Sequence, residues 1–212
     1  MRILIADDHA LVRKGLRQLL AEALPQVEFG EASNAQEALD LVWGNHWNVL
    51  LMDITMPGRS GLDLLKQLKQ DRPELPVLVL SAHPEEDYAL RVLKAGAAGF
   101  LNKDAAVEEL LAAIRKVAAG GKYVSPSVGE TLAESVETLA PHPRHEDLSD
   151  REFEVFRLLA SGKAVSEIAA QLSLSVKTIS TYRTRLLQKL HVKGNAELIR
   201  YAVQHRLTDL VQ

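Results

Sequence analysis

The chain contains no cysteine, which excludes disulfides, thiolate metal sites and cysteine nucleophiles together. Aromatic residues are only 5% of the sequence, and Trp43 and Trp47, flanking Asn45 and His46, read as core or lid aromatics rather than a cofactor box. No apolar run approaches the ~18 residues that span a bilayer. The apolar N-terminal stretch runs straight into Asp7 and Asp8, unlike a signal peptide, so the cytoplasm is the expected compartment and no membrane partner is expected. A charge excess of one sign is also missing, since 25 basic residues face 28 acidic ones.

That balance hides a segregation. Residues 1–121 carry 13 Lys/Arg against 17 Asp/Glu, residues 122–147 carry 2 against 5, and residues 148–212 carry 10 against 6. An acidic front and a basic end suggest that only the end of the chain meets nucleic acid. With 212 residues, 47% hydrophobic and 25% charged, there is room for two modest soluble domains.

Short apolar runs alternate with helical patterns through residue 120. Ile3–Ala6, Val49–Met52 and Val77–Leu80 are continuous apolar runs, as strands buried on both faces require, and Val27–Phe29 and Gly99–Leu101 are weaker ones. Helical segments are predicted over 10–23, 34–43, 61–70, 85–95 and 105–119, with Ser33 and Gln36 as a capping box for the second and Gly96 and Gly120 at C-caps. Five strands alternating with five helices imply a doubly wound parallel sheet. Residues 122–147 read as a linker: Val128, Leu132, Val136 and Leu139 keep helical spacing, and Pro141–Asp147 looks extended. Beyond it no strand signal remains. Helices are predicted over 150–161, behind a Ser149/Glu152 capping box, and over 166–172, 176–190 and 196–206, the last two capped by Ser175 and Asn195. The expected domains are therefore 1–121, the linker 122–147, and an all-α module over 148–212.

Asp7 and Asp8 end the first strand and Asp53 the third. In a sheet of order 2-1-3-4-5 these strands are neighbours at the topological switch point, where ligands bind beyond the strand ends. Three converging carboxylates either repel one another or hold a hard divalent cation, and Mg²⁺ suits them. Ser81 and Lys103 end the fourth and fifth strands and add a hydroxyl and a cation to the same rim. Such a set suits phosphoryl chemistry, in which metal and lysine neutralise the oxygens while one carboxylate attacks.

Through Asp7-Asp8, Asp53-Ile54-Thr55-Met56-Pro57-Gly58, Ser81-Ala82 and Phe100-Leu101-Asn102-Lys103, residues 1–121 resemble a response-regulator receiver domain. The resemblance implies that Asp53 accepts a phosphoryl group from a sensor histidine kinase. It implies that Asp8, Asp53 and the Thr55 backbone carbonyl hold Mg²⁺, with Asp7 acting through water. Lys103 would pair with the phosphate, Ser81 would swing to it, and Phe100 would change rotamer as the output switch. Asp104 follows Lys103 where many receivers have a cis-proline peptide. Thr55 and His83 stand where receivers tune dephosphorylation or are simply exposed, His9 reads as the start of the first helix, and Asn34, Glu37 and Asp40 as a solvated helix face.

Ser175–Leu190 contains four cations and no acid. Val176, Ile179, Leu186, Leu187 and Leu190 can form a buried stripe, leaving Lys177, Ser180, Thr181, Thr184 and Arg185 near the opposite face. With the short helix around Glu167–Leu172 before it, this is the layout of a helix-turn-helix, whose second helix enters the major groove. Leu148-Ser149-Asp150-Arg151-Glu152, Glu167-Ile168-Ala169, Lys177-Thr178-Ile179, Lys189-Leu190 and Asn195 make residues 148–210 similar to the LuxR-type four-helix DNA-binding domain. The resemblance implies base reading near Ser180, Thr181 and Thr184, phosphate contacts from Lys177, Arg183 and Arg185, and a dimer contact along the helix from Ala196. Ala164-Val165 replaces a polar capping pair, predicting a later or weaker helix start. Ser180 replaces a lysine of some members.

Together these features predict a NarL/FixJ-type response regulator. Phosphorylated on Asp53, it would bind an inverted-repeat promoter site as a homodimer, with RNA polymerase as a further partner and no enzymatic turnover beyond slow self-phosphorylation and self-dephosphorylation. The rivals are a phosphorylation-independent regulator, a receiver acting by protein contact, and a Mg²⁺-dependent aspartate-nucleophile phosphohydrolase. The last would want a second acid where Thr55 stands.

Overall fold

A computed structural model describes residues 1–56, 60–82, 85–126, 128–130, 144–205 and 207, with the side chains of 85–87 and 146 excepted. Pro57, Gly58 and His83, the linker-helix positions Leu132, Val136 and Leu139, and residues 141–143 fall outside that description. The chain divides into two compact units, Met1–Thr138 and Leu139–Gln212. Among the described residues no helix is long and apolar enough to cross a membrane.

The first unit is a five-stranded parallel sheet, β1 (Arg2–Ala6), β2 (Glu28–Ala32), β3 (Val49–Asp53), β4 (Val77–Ser81) and β5 (Gly99–Asn102), in the order β2-β1-β3-β4-β5. Helices α1 (Ala10–Ala23), α2 (Ala35–Gly44), α3 (Gly61–Asp71), α4 (Glu85–Lys94) and α5 (Val107–Ala118) alternate with the strands. Alternate residues of a strand face opposite sides. Ile3, Ile5, Val49, Leu51, Leu78, Leu80 and Leu101 therefore share one core with Leu20 of α1 and Ile114 and Val117 of α5. Leu4, Leu50, Met52, Val79 and Phe100 lie on the other face and are equally buried. Burial on both faces explains why β1, β3 and β4 read as unbroken apolar runs.

Local differences from the sequence reading have simple causes. The cap of α2 is Asn34, whose side chain accepts from the Glu37 N–H, while Glu37 reaches back to the Ser33 N–H at 2.8 Å. The cap thus sits one residue later than Ser33, and Glu37 rather than Gln36 turns back, reaching the residue before the cap. Glu37 and Asp40 are exposed, as a solvated face requires, while Asn34 is half-buried at the cap. The α4 and α5 ends are closed by Gly96 and Gly120 at φ 99° and 84°, a left-handed backbone that favours glycine. After α5 the chain lies along the free edge of β5, where the Tyr123 N–H donates to Ala98 O at 2.8 Å.

In the second unit a short 3₁₀ turn (Arg144–Asp147) precedes α6 (Asp150–Ala160), α7 (Val165–Gln171), α8 (Val176–Leu190) and α9 (Asn195–Gln204). The Ser149/Glu152 box is formed, with the Ser149 N–H donating to Glu152 at 2.8 Å. Phe153, Phe156, Ile168, Leu172, Ile179, Leu186, Leu190 and Leu198 form the core. The Arg151 guanidinium spans Glu154 (2.6 Å) and Leu172 O (3.2 Å), tying α6 to the end of α7. Helix α7 starts at Val165 rather than later, but its Ala164 cap has no side chain to accept from the first turn; only the return bond is made, the Ala164 N–H donating to the Glu167 carboxylate at 2.7 Å. Val176 departs from the predicted buried stripe. It stands in the first turn of α8 and is 53% exposed.

Candidate functional site

Asp7 directly follows β1, and Asp53 is the last residue of β3. Those strands are hydrogen-bonded neighbours, with Ala6 opposite Met52, so the two carboxylates are brought together at the switch point. Both are almost fully buried, at 2% and 4% exposure. Lys103, just past β5, reaches back across the sheet end, and its Nζ lies 2.6 Å from Asp7 Oδ2 and 2.6 Å from Asp53 Oδ2. The Lys103 N–H donates to Ser81 O at 2.8 Å, which anchors the loop to the end of β4. Asp53 Oδ1 accepts from the Thr55 N–H at 2.9 Å. Ser81 and Phe100 are both fully buried, Ser81 at the rim and Phe100 within β5.

Two acids share one ammonium here. Burial pushes the Asp53 carboxyl above its usual range, against the pull of Lys103 and the Thr55 N–H, with Asp7 adding to the rise. Burial also opposes the charge on Lys103, but Asp53 and Asp7 outweigh it and hold its pKa above the ordinary lysine value. A surplus of negative charge therefore remains. Ligand atoms of Asp7, Asp8, His9 and Asp53 all lie within 4.8 Å of one another. Asp8 Oδ1 is buried and has no hydrogen-bond partner among the described residues, although His9 Nδ1 stands 2.9 Å away. An acceptor-only oxygen left in that state, inside a hard-donor set, fits a divalent cation such as Mg²⁺.

Sequence reading underrated two residues at this site. His9 does precede α1, yet its Nδ1 also lies 3.2 Å from Asp7 Oδ1. Arg13, one turn into α1, donates to Asp7 O at 2.6 Å and was not singled out. Adjacency to Asp7-Asp8 was the available signal for His9, whereas for Arg13 none existed.

Gly61 shapes the loop from the other side. A Cβ there would collide with the backbone oxygen of Ile54 and come within 2.7 Å of its Cα. Ile54 is the residue after Asp53, so the start of α3 can pack here only without a side chain.

In the second unit, Ser173 at φ 53° makes the turn that joins α7 to α8. Ile179, Leu186 and Leu190 face inward, while Lys177, Ser180, Thr181, Thr184 and Arg185 are exposed. Ser180 Oγ donates to Val176 O (2.8 Å), Thr181 Oγ1 to Lys177 O (3.0 Å) and Thr184 Oγ1 to Ser180 O (3.0 Å). Their hydrogens are spent on the helix itself, so oxygen lone pairs and threonine methyls remain for a groove. Arg183 is half-buried on the flank, where its Nε donates to Asn195 Oδ1 at 2.7 Å. Asn195 is therefore a partner of Arg183 and not the cap of α9, which is Gly194. Lys189 is committed within the fold, 2.6 Å from Glu152, where it and Ser149 hold that carboxyl below its usual range despite burial.

Comparison with known proteins places each of the two units in a family. The family model "Response regulator receiver domain" matches residues 3–115, and "Bacterial regulatory proteins, luxR family" matches 146–202. The chain is 35% identical over 210 residues to the response regulator UvrY of Escherichia coli K12, covering 99% of this chain and 96% of the relative. RcsB of Salmonella enterica serovar Typhimurium, bound to promoter rprA with the phosphomimetic BeF3⁻, is 30% identical with a TM-score of 0.66, covering 95% of this chain and 97% of RcsB. A structure of two RcsB dimers on two parallel DNAs is 31% identical with a TM-score of 0.60, covering 96% and 98%.

An acidic crevice at the switch point of a doubly wound sheet, followed by a basic helix-turn-helix unit, is the architecture of a two-component transcriptional regulator. The chain belongs to the NarL/FixJ family of response regulators, with a receiver domain and a LuxR-type DNA-binding domain.

Proposed function

We propose that the chain is a phosphorylation-switched transcription regulator of the cytoplasm, and the observation that carries this is Lys103 bridging Asp7 and Asp53 within the acidic cluster that Asp8 completes. Asp8, Asp53 and the Thr55 carbonyl would hold Mg²⁺, with Asp7 acting through water. When bound, the ion neutralises phosphoryl oxygens as charge develops on them. An Asp53 carboxylate oxygen forms the new P–O bond as the P–N bond of a kinase phosphohistidine breaks and the departing imidazole takes up a proton. The new phosphate brings about −1.5 to −2 charge into a buried rim. Lys103 turns from Asp53 toward it, and the Ser81 hydroxyl donates to it. These contacts favour one of two conformations, which Phe100 registers by a change of rotamer.

In the second unit the face with Lys177, Ser180, Thr181, Thr184 and Arg185 enters the major groove. Ser180, Thr181 and Thr184 approach base edges, while Lys177, Arg183 and Arg185 meet phosphates. Dimerisation along α9 then matches an inverted repeat, and RNA polymerase is the partner downstream. RcsB, described with promoter DNA, a phosphomimetic and dimers, supports this reading. Thr55 in place of a second acid argues against turnover of phosphate esters.

The test is binding to fragmented genomic DNA in Mg²⁺ with and without beryllium fluoride. A motif enriched only with the mimic, and lost in Asp53→Asn, is expected. Equal enrichment in both conditions would establish a regulator indifferent to phosphorylation.

A further inference from the structure

Arg183 and Asn195 belong to different helices, and their hydrogen bond has no obvious structural purpose. The N-terminus of α9 is closed without Asn195: Gly194 is its cap, and the Glu197 carboxylate accepts from the Lys193 N–H at 2.8 Å. The Arg183 Nε donates to Asn195 Oδ1 at 2.7 Å, but its two terminal nitrogens have no hydrogen-bond partner among the described residues. Nor are those nitrogens among the buried unpaired atoms. A guanidinium presents five donors in a planar fork. Holding Nε in place fixes the plane of that fork and leaves its outer edge free for two parallel bonds to an oxyanion.

We infer that Asn195 is a positioning residue, which orients Arg183 on the flank of α8 so that its free edge clamps one DNA phosphate beside the groove-facing residues. This rests on the proposed phosphate role of Arg183 and extends it to a residue outside α8. The neighbouring cations differ in kind. Lys177 and Arg185 are exposed and rely on charge alone, and Lys189 is already paired with Glu152. Arg183 alone among the cations of α8 is presented by a side chain of the next helix.

The experiment uses the full-length protein with Mg²⁺, beryllium fluoride and a mixed-sequence duplex, measuring affinity across a salt series. Phosphate contacts are sequence-independent, and each lowers log K against log salt with a slope of about −0.9. Arg183→Ala should flatten the slope by about one. Asn195→Ala should weaken binding roughly three- to tenfold and flatten the slope by part of that amount, yet have almost no effect in an Arg183→Ala background. Asn195→Gln keeps a neutral acceptor oxygen and should stay closer to the slope of the unaltered protein than Asn195→Ala, and it also serves if Asn195→Ala does not fold. An unchanged slope in Arg183→Ala would overturn the phosphate contact itself. A normal response in Arg183→Ala with none in Asn195→Ala would overturn the positioning role alone. Equal losses from Asn195→Ala with and without Arg183 would assign Asn195 to the scaffold.

Discussion

Lys103 Nζ stands 2.6 Å from Asp53 Oδ2 while holding Asp7 Oδ2 at the same distance, so a single ammonium is shared by two buried acids at the ends of the neighbouring strands β1 and β3. The crevice is thus poised, with more negative charge than the protein itself balances.

Lys103→Met should expose that imbalance. Breaking a buried ion pair costs about 3–5 kcal/mol, and the loss should appear in urea unfolding of the N-terminal unit in chelated buffer. Millimolar Mg²⁺ should recover much of it by replacing the missing positive charge. Equal stability of variant and parent in chelator would show that the two acids do not depend on Lys103.

Gly61→Ala inserts a methyl against the Ile54 backbone. Overpacking of this kind costs about 1–3 kcal/mol. The strain falls on the residue after Asp53, so affinity for beryllium fluoride should drop along with the melting temperature. A stability loss with unchanged fluoride affinity would separate Gly61 from the acceptor loop.

Glu152 links acid stability to the DNA-binding unit. Its carboxyl is held below the ordinary glutamate range, with burial opposing and Lys189 and the Ser149 cap prevailing. A lowered acid contributes stability that is complete above about pH 4.5 and is lost as pH falls through the folded-state value. Glu152→Gln keeps the capping geometry but removes the charge. It should cost up to about 1 kcal/mol at pH 7, and parent and variant should converge in acid. A constant gap across pH would place the effect in packing.

Lys177 and Thr181 should differ in kind. Lys177→Ala ought to weaken binding to every duplex alike, by about one unit of salt slope. Thr181→Ala ought to alter sequence preference instead, measured by selection from a random library. A shifted motif from Lys177→Ala would move that residue from phosphate to base reading.

Much of this architecture is legible in the chain. Apolar runs locate β1, β3 and β4 because each strand is covered on both faces, and the acids at the ends of β1 and β3 mark the crevice. The Ser149/Glu152 cap and the exposed face of α8 follow from local spacing. The caps of α2 and α7 depended on whether Glu37 and Glu167 turned back past the helix start, and several rotamers satisfy the same sequence. Val176 fits an apolar helical stripe but stands in the first turn, 53% exposed.

The sequence by itself determined the strand order's raw material, the acid, hydroxyl and lysine at four strand ends, and the segregation of charge between the two ends of the chain. These are short-range properties, set by side-chain period and composition. Tertiary structure alone decided that Lys103 bridges acids 96 and 50 residues away, that Arg183 meets Asn195, and that Lys189 is consumed by Glu152 rather than left for DNA. A lysine or arginine looks equally free wherever it stands in a chain, and only the packing of distant elements determines which counter-charge or acceptor it meets.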